Sequence, residues 1–387
     1  MKKAIVIGGS NGIGLALSTQ LINKGYYLYI YDIVSPQEGT IPNESFDYCY
    51  FNLLDFNQNA FANLLNDKSL EVLFITAGVG RIAKFEAHHI AEIDKMMTIN
   101  ATSTIKIIRL FYDRIHSIKS FYCGVMGSIA GWLVSPAASV YSASKASIVK
   151  LIESINIELE LDCIENRVLD VSPSAFSGSR FYGGDNNLQI LLPLADDILN
   201  KLFSKKTIFI PQYHETFKQV LNDYHNAPHE FGIRSFKYKN ETGRIDNNKK
   251  VIIGYLSGTF DLFHVGHLNL LKRAKRQCDY LIVGVHEDGK WKGKETFISL
   301  EDRKEIVKSC RYVDMVVNSC REDSDAWNMW HFDKLFVGSD YEGSERFERY
   351  KDFFKDKNVQ IVYFPYTQSI SSSKIRARIN EVKEKND

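Results

Sequence analysis

The chain has 387 residues, and its 48 lysines and arginines nearly balance its 47 aspartates and glutamates, so the formal net charge at pH 7 is +1. At ~150 residues per domain, this length predicts two or three domains. A composition of 44% hydrophobic and 25% charged residues is typical of a globular protein and excludes disordered, collagen-like and coiled-coil chains. The near-neutral charge gives no electrostatic basis for binding nucleic acid or a membrane surface.

The cysteines and the apolar runs indicate the cellular compartment in which the protein is expected. Six cysteines are scattered without a Cys-x-x-Cys pair, so neither a zinc site nor a disulfide framework is expected. The first apolar run stops at Gly8, too early for a signal peptide, and no stretch approaches the ~20 apolar residues of a membrane span. We therefore expect a cytoplasmic protein without membrane insertion.

Short, continuous apolar runs alternate with helical patterns along the first half of the chain. The predicted elements are a strand at 4–7, a helix at 12–24, and strands at 27–31, 72–75, 120–123 and 168–171. Strands that are buried on both faces have continuous apolar sequences, so this half predicts a parallel sheet covered by helices.

The pattern then fades, and the polar segment 231–249 predicts a linker. Beyond it, strands at 251–253 and 280–285 flank a helix at 266–276. The sequence therefore predicts the α/β class, with two doubly wound parallel-sheet domains at residues 1–230 and 250–387.

A glycine-rich loop follows the first predicted strand and opens a helix, which is the context of a dinucleotide site. Gly8 permits a tight turn, Gly12 lets the backbone approach a pyrophosphate, and Gly14 lets the helix pack close to the strand. Without the flanking strand and helix, the motif would be equally typical of a plain glycine-rich turn. The predicted cofactor contacts in this loop are Gly8, Ser10, Asn11, Gly12, Ile13 and Gly14.

Asp32 ends the second predicted strand. A carboxylate there can accept hydrogen bonds from the ribose hydroxyls and repel a 2′-phosphate, which favours NAD(H) over NADP(H). A plain strand-end aspartate is the alternative interpretation.

Tyr141 and Lys145 lie four residues apart on a predicted helix, so their side chains share one face. A nearby ammonium stabilises a phenolate and lowers the pKa of a tyrosine from ~10, which makes Tyr141 a candidate general acid or base. Such pairs also occur by chance, so the spacing alone does not decide.

Further motifs stand in the order and spacing of the short-chain dehydrogenase/reductase family, which residues 1–225 resemble. They are Thr76-Ala77-Gly78, Asn100, Ser128, Tyr141, Lys145 and Ser172-Pro173. The resemblance implies a Rossmann fold in which Tyr141 protonates a carbonyl oxygen and Ser128 polarises it. It also implies that Lys145 binds the nicotinamide ribose and that Asn100 holds a proton-relaying water.

The same resemblance adds Ala77 and Gly78 to the implied cofactor contacts. Three positions depart from the family pattern, with Thr76 and Asn52 in place of Asn and Asp, and Ser174 in place of Gly. Residues 176–194 are implied to form a substrate lid. Arg180 within it is either a phosphate contact or a solvated loop residue.

In the second half, His264 and His267 lie three residues apart where a strand meets a helix. Both imidazoles can point at one oxyanion, which suits phosphoryl transfer, a reaction that depends on positioning and charge neutralisation. The pair could instead bind a metal, but it lacks the carboxylate or cysteine neighbours of a zinc site.

Residues 255–379 resemble glycerol-3-phosphate cytidylyltransferases in four ordered segments, at 258–275, 299–317, 336–343 and 369–379. The resemblance implies that His264 and His267 stabilise the transition state. Mg²⁺ is expected to arrive with CTP, without a direct cluster of protein ligands, and Asp261 is a possible ligand. The implied nucleotide and phosphate contacts are Gly258, Thr259, Phe260, Asp261, His264, His267, Lys292, Lys294, Arg303, Arg311, Asp340, Ser371 and Ser372.

One departure concerns the acceptor. Residues 366–372 read YTQSISS where the family usually has Arg-Thr-Glu-Gly-Ile-Ser-Thr. The Arg and the Glu are therefore missing, which bears on the phosphate acceptor more than on CTP.

Together the two resemblances predict a bifunctional enzyme. It would reduce a keto-sugar phosphate with a nicotinamide cofactor and couple the polyol phosphate to CTP, giving a CDP-alditol for a surface polysaccharide or teichoic-acid-like polymer. Three alternatives stay open: reduction of a CDP-linked compound, transfer to another phosphate ester such as phosphoethanolamine, or a domain that only binds or dimerises. Small molecules are the expected partners, and both families imply a homodimer.

Overall fold

Two units make up the chain, Met1–Lys249 and Lys250–Asp387, and each is described by itself. This computed structural model describes residues 1–174, 187–246, 251–288, 296–365 and 375. Within those residues, no helix combines the length and the apolar character that crossing a membrane requires.

The first unit is built on a parallel sheet. Its strands are β1 (Lys2–Ile7), β2 (Tyr26–Asp32), β3 (Phe46–Tyr50), β4 (Leu70–Ile75), β5 (Tyr122–Met126), β6 (Val168–Val171) and β7 (Ile208–Phe209). Its helices are α1 (Gly12–Asn23), α2 (Ala62–Leu65), α3 (Ile90–Met97), α4 (Ser103–Leu110), α5 (Tyr112–Ile115), α6 (Ser139–Leu161), α7 (Leu188–Phe203), α8 (Lys218–Asn226) and α9 (Pro228–Glu241). Over the described residues the strand order is β3-β2-β1-β4-β5-β6-β7.

The two faces of this sheet explain why its strands have continuous apolar sequences. Ile5 and Ile7 of β1 pack into one core with residues of α4 and α6. Ala4 and Val6 pack into the opposite core with residues of α1 and α7. Successive side chains of a strand point to opposite faces, so a strand covered on both sides is apolar at every position.

The second unit repeats this architecture on a smaller scale. Its strands are β8 (Ile253–Gly258), β9 (Tyr280–Val285), β10 (Met315–Asn318), β11 (Lys334–Gly338) and β12 (Gln360–Phe364). Its helices are α10 (Val265–Lys275), α11 (Leu300–Lys308), α12 (Asp323–Trp330) and α13 (Glu345–Phe354). In the described part of the chain the parallel strands run in the order β10-β9-β8-β11-β12.

Both sheets reverse their strand order beside the first strand, between β1 and β4 and between β8 and β11. In doubly wound sheets, loops diverge at such a point and leave a crevice at the carboxyl ends of the strands, where ligands bind. The predicted α/β class with two doubly wound parallel sheets is confirmed.

Two predicted strands are shifted along the chain. Residues 120–123 were expected to be a strand, but β5 begins at Tyr122, because the Phe121 amide donates to the Asn166 side chain (3.1 Å) and not to a neighbouring strand. Likewise β8 begins at Ile253, and the Ile252 amide before it donates to the Asp279 carboxylate (3.0 Å).

The predicted linker at 231–249 differs from the structure, because α9 occupies Pro228–Glu241. This helix belongs to the first unit and contacts the segment before α6: Lys239 Nζ donates to Ser135 Oγ (2.7 Å) and to the Pro136 carbonyl (2.8 Å). Farther on, the Asp246 amide donates to the Ile82 carbonyl (2.7 Å). The segment is polar because little of α9 is buried, and so its sequence does not show the periodicity of a core helix.

Candidate active sites

The glycine loop between β1 and α1 is closely packed. Gly8 has φ of +83°, and a Cβ there would lie 2.7 Å from the Ala77 amide nitrogen. A Cβ on Gly14 would overlap the Gly8 carbonyl, and Gly12 also has a positive φ, +53°. The loop has room for backbone but not for side chains, which fits the close approach of a dinucleotide pyrophosphate.

Two polar side chains hold this loop in place. Thr76 Oγ1 lies 2.9 Å from the Ile7 carbonyl and 3.0 Å from the Gly8 carbonyl, so the Thr in place of the usual Asn ties β4 to the loop. The Asp32 carboxylate accepts hydrogen bonds from the amides of Ser10 (3.0 Å) and Ile33 (2.7 Å). Its orientation at the end of β2 is therefore fixed beside the loop. Asn11 directly precedes α1, and Ile13 is buried in its first turn.

Asn100 lies in a π-helical turn, Thr98–Thr102, between α3 and α4. Its Oδ1 accepts from the Val79 amide (2.8 Å), and its Nδ2 donates to the Val79 carbonyl (2.7 Å) and to Ser144 Oγ (3.0 Å). A Cβ on Gly78 would lie 3.3 Å from Asn100 Oδ1 and 3.5 Å from Lys145 Nζ. The structure therefore brings Asn100, Gly78 and Lys145 together.

Lys145 is 3% exposed, and its Nζ donates to the Met126 carbonyl (2.7 Å). Burial lowers the pKa of this ammonium to about 8. Nζ lies 6.0 Å from the centroid of the buried Tyr141 ring, one helical turn away on α6. A positive charge at that position favours a phenolate on Tyr141.

Ser128 follows β5, and its buried Oγ accepts from the Ala130 amide (3.2 Å). Ser142 Oγ on α6 donates to the Ala130 carbonyl (2.6 Å), which joins this turn to the helix of Tyr141. The four catalytic residues predicted for the first unit thus lie at the carboxyl edge of its sheet. Sequence analysis did not identify a further polar group here, the Asp170 carboxyl on β6.

In the second unit, Gly258 ends β8, and the loop that follows has an unusual backbone. Phe260 and Leu262 have φ of +52° and +51°, in the left-handed region that side chains rarely adopt. The buried Asp261 between them accepts hydrogen bonds from the amides of Phe297 and Ile298 (both 3.1 Å to Oδ1). These contacts hold the loop in its strained conformation.

His264 and His267 lie at the start of α10 with ring centroids 4.1 Å apart. Nδ1 of His264 accepts from the Gly266 amide (3.0 Å), and Nδ1 of His267 faces the His264 amide (3.4 Å). A neutral imidazole whose Nδ1 accepts must carry its proton on Nε2. Burial lowers the pKa of His267 to about 4 and also lowers that of His264, so both rings are neutral at pH 7. The pair therefore presents two Nε2–H donors.

Arg303 differs from its implied role as a phosphate contact. Its side chain is fully buried in the first turn of α11 and donates to four backbone carbonyls. The acceptors are Thr259 (2.6 Å), His286 (2.7 Å), Glu287 (2.7 Å) and Ile298 (3.0 Å). Arg303 therefore fixes the loops around the histidines, and these donors do not face an open site.

Arg303→Met is expected to destabilise the second unit by on the order of 3 kcal/mol, because several buried carbonyls lose their donors. Thermal unfolding measures this loss. The matched control is Arg311→Met, at an exposed position, where a change below ~0.5 kcal/mol is expected. An Arg303→Met protein with wild-type stability but no nucleotidyl transfer would return Arg303 to the phosphate site.

The remaining predicted contacts are divided between the two edges of the sheet. Asp340 follows β11 at the carboxyl edge, next to β8. Arg311 precedes β10 at the amino edge and donates to the Tyr312 hydroxyl (2.8 Å), so the structure does not bring it to the histidines. Outside the described residues lie Arg180 with most of the predicted lid, Lys292, Lys294, Ser371 and Ser372. Of the predicted lid, residues 188–194 are the first turns of α7 and Asn187 precedes them, so this part is helix with Leu191 buried in the core.

Over the described ranges, no group of three or more His, Cys, Asp or Glu side chains is placed to hold a metal ion. The Asp261 carboxylate, the candidate ligand for Mg²⁺, accepts backbone amides, as described above.

Comparison with known proteins assigns both units. Residues 255–378 match the family model for cytidylyltransferase-like proteins. The glycerol-3-phosphate cytidylyltransferase of Bacillus subtilis (strain 168) is 39% identical over 134 residues, which are 34% of this chain and 97% of that protein. The chain belongs to the cytidylyltransferase-like family. Residues 2–179 match the family model for short chain dehydrogenases.

Two further similarities complete this comparison. An ethanolamine-phosphate cytidylyltransferase of Dictyostelium discoideum is 51% identical over 74 residues, which are 18% of this chain and 20% of that protein. A solved short-chain dehydrogenase from Streptomyces avermitilis is 17% identical, with a TM-score of 0.48. The match covers 63% of this chain and 99% of the solved chain. From the two family matches, this cytidylyltransferase-like chain is a bifunctional reductase and nucleotidyltransferase.

Proposed function

We propose that this protein reduces a keto-sugar phosphate with NADH and couples the resulting polyol phosphate to CTP, releasing pyrophosphate and a CDP-alditol for a surface polymer. The observation that carries the proposal is that one chain holds both the Tyr141–Lys145 cluster and the His264–His267 pair. As part of the same proposal, the enzyme is cytoplasmic and acts as a homodimer.

In the reduction, the Tyr141 hydroxyl donates its proton to the substrate carbonyl oxygen, and Ser128 donates a second hydrogen bond to that oxygen. The Lys145 ammonium stabilises the phenolate that remains. Asn100, fixed by Val79 and Ser144, orients a water that returns a proton through Lys145. The nicotinamide, when bound, supplies the hydride to the carbonyl carbon.

The cofactor contacts proposed for this step are the glycine loop, Ala77, Gly78 and Asp32. The loop fits a pyrophosphate because it excludes side chains at Gly8 and Gly14. Asp32 supports a preference for NADH over NADPH, since its fixed carboxylate would repel a 2′-phosphate.

Asp32→Ala is expected to reduce the preference for NADH over NADPH about tenfold, because the repelling charge is lost and the Ser10 amide is freed. The measurement is the ratio of kcat/KM for the two cofactors. Asp47→Ala, at an exposed position of β3, is the control and should leave the ratio unchanged. A wild-type enzyme that already prefers NADPH would contradict the cofactor proposal.

In the transfer, a phosphate oxygen of the polyol phosphate attacks the α-phosphorus of CTP, and the bond to the β-phosphate oxygen breaks as pyrophosphate leaves. His264 and His267 donate their Nε2–H groups to the oxygens on which charge develops. Asp261 and Arg303 hold the loop that carries these rings. Mg²⁺ bound with CTP supplies further charge neutralisation.

The acceptor class is supported by the Bacillus subtilis relative, which is named for glycerol 3-phosphate and is matched over 97% of its length. A second candidate is an amino-alcohol phosphate, which the match to an ethanolamine-phosphate enzyme favours over a shorter segment. In that case the reductase would act on a separate substrate or on the CDP-linked product.

One assay separates these candidates. Pyrophosphate release from CTP and Mg²⁺ is measured with a panel of polyol phosphates, with each keto precursor plus NADH, and with phosphoethanolamine. A keto-phosphate that yields pyrophosphate only when NADH is present supports reduction before transfer. Release with phosphoethanolamine alone overturns the polyol proposal, and the CDP-linked product is then tested as substrate of the reductase.

A further inference from the structure

Asp170 is a buried carboxyl in the core of the first unit. It is 2% exposed and lies in β6 between Leu169 and Val171, which both pack into the core on the α1 and α7 side. Side chains alternate along a strand, so Asp170 points to the opposite face, the one covered by α6. A carboxylate in such a place costs free energy unless it is hydrogen-bonded and paired.

Neutral groups hold this carboxyl in place. The Ser172 hydroxyl lies 2.8 and 3.0 Å from the two Asp170 oxygens, and the Trp132 indole N–H donates to Ser172 Oγ (3.1 Å). A Cβ on Gly127 would overlap Asp170 Oδ1, so the glycine after β5 is needed for the carboxyl to lie where it does. None of these partners carries a charge that could balance a carboxylate.

The opposite charge nearby is Lys145. Its Nζ donates to the Met126 carbonyl (2.7 Å), directly before Gly127, whose Cβ would overlap Asp170 Oδ1. Among the described residues, Asp170 is the charged group that raises the pKa of Lys145, and Lys145 is the one that lowers the pKa of Asp170. Burial raises the pKa of Asp170 to about 6 and lowers that of Lys145 to about 8, so both groups are ionised between these values.

The groups around the pair come from α6, β5 and β7. Tyr141 lies one turn from Lys145 on α6. The strand neighbours of Asp170 are Val125 and Ile208. The thiol of Cys123 on β5 has its pKa raised to about 12 by burial.

We propose that Asp170 is a positioning residue of the reductase site, the counter-charge that keeps the Lys145 ammonium protonated next to Tyr141. This inference rests on the proposed reduction. Without the carboxylate, Lys145 loses its proton at a lower pH, and a neutral amine no longer stabilises the Tyr141 phenolate. Asp170 touches neither substrate nor cofactor in this proposal and acts through Lys145.

Asp170→Asn, which keeps the shape and removes the charge, is expected to move the alkaline limb of the kcat profile for NADH oxidation down by about one pH unit. At pH 8 this corresponds to an approximately fivefold lower kcat, with KM for NADH within about twofold of wild type. Ser172→Ala removes the hydroxyl that holds the Asp170 carboxyl, and it is expected to shift the alkaline limb of the kcat profile in the same direction by a smaller amount. The control is Asp67→Asn, which removes a carboxylate from the opposite edge of the sheet and leaves the profile unchanged. An Asp170→Asn profile that superimposes on the wild-type profile overturns the proposal.

A second measurement does not depend on turnover. In the full chain, the thermal transition that NADH raises reports on the reductase unit. A double-mutant cycle of Asp170→Asn and Lys145→Met on that transition at pH 7 is expected to be non-additive, with the double variant more stable than the sum of the single losses allows. Additive effects overturn the electrostatic coupling of the two residues. Non-additive effects in a protein that reduces no keto compound would instead support the coupling and reject the proposed reduction.

Discussion

Tyr141→Phe is expected to lower NADH-dependent reduction about 10³-fold while pyrophosphate release from CTP continues at the wild-type rate. The hydroxyl is the proton donor to the carbonyl oxygen, and losing a general acid typically costs 10²–10⁴ in rate. The ring itself is buried against Met96, Ala138 and Val140, so Phe can fill the same space. The loss should therefore appear in kcat, with little change in stability or in NADH affinity.

The control for this variant is Tyr122→Phe, which removes a hydroxyl from β5 in the same sheet, away from the carboxyl edge. It should retain both activities. If Tyr141→Phe abolishes pyrophosphate release as well, the two sites are not independent, and the coupled assay above would then have to be interpreted as one catalytic sequence.

The fold class and most strands were predictable, because a parallel sheet covered on both faces requires continuous apolar strands. β6 and β9 have the predicted bounds, at Val168–Val171 and Tyr280–Val285. β5 begins at Tyr122 because the Asn166 side chain accepts from the Phe121 amide, and β8 begins at Ile253, after an Ile252 amide that donates to Asp279. Such long-range partners do not appear in a local pattern.

The α9 segment was not predictable for a related reason. Its contacts come from a few polar atoms, such as Lys239 Nζ on the Ser135 and Pro136 segment, and not from a wide apolar stripe. A helix with a polar surface and a linker have similar compositions. The tertiary contact distinguishes them, and the sequence does not contain it.

The candidate sites show the same difference between contacts within one segment and contacts between distant segments. Motif residues that share a loop or a helix face, such as Tyr141 with Lys145 and His264 with His267, lie together as their spacing predicts. Arg303 and Arg311 were grouped by family resemblance, yet α11 separates them: one is buried at the carboxyl edge and the other exposed before β10. The family resemblance alone did not show that the Arg303 guanidinium already donates to backbone carbonyls.

Asp170 illustrates the converse case, a functional candidate that the sequence contained and pattern reasoning passed over. A carboxylate in the fully buried strand Val168–Val171 breaks the apolar rule for such strands. That exception was a signal in itself, since a buried charge requires a partner. Its partner, Lys145, lies on another element, and only the folded structure brings the two together.

His267→Asn is expected to lower pyrophosphate release by about 10²–10³-fold and to leave NADH oxidation unchanged. The Asn side chain retains a polar atom near the position of Nδ1, which faces the His264 amide, but it cannot reach the position of the Nε2–H donor. The size of the loss follows from removing one fixed donor to a developing oxyanion. Initial rates of pyrophosphate release with saturating CTP measure it.

The pH dependence of the transfer rate distinguishes a neutral histidine donor from a histidine that acts only when protonated. Burial lowers the pKa of His267 to about 4, so this ring stays neutral as the pH falls from 8 towards 5, and burial also lowers the pKa of His264. A neutral donor predicts a wild-type transfer rate that is flat over this interval, whereas a histidine that must be protonated predicts a rising rate below pH 6.5. His267→Gln, whose longer amide carries an N–H nearer the Nε2 position, should recover part of the activity that Asn loses. An Asn variant as active as wild type would remove His267 from the transfer step.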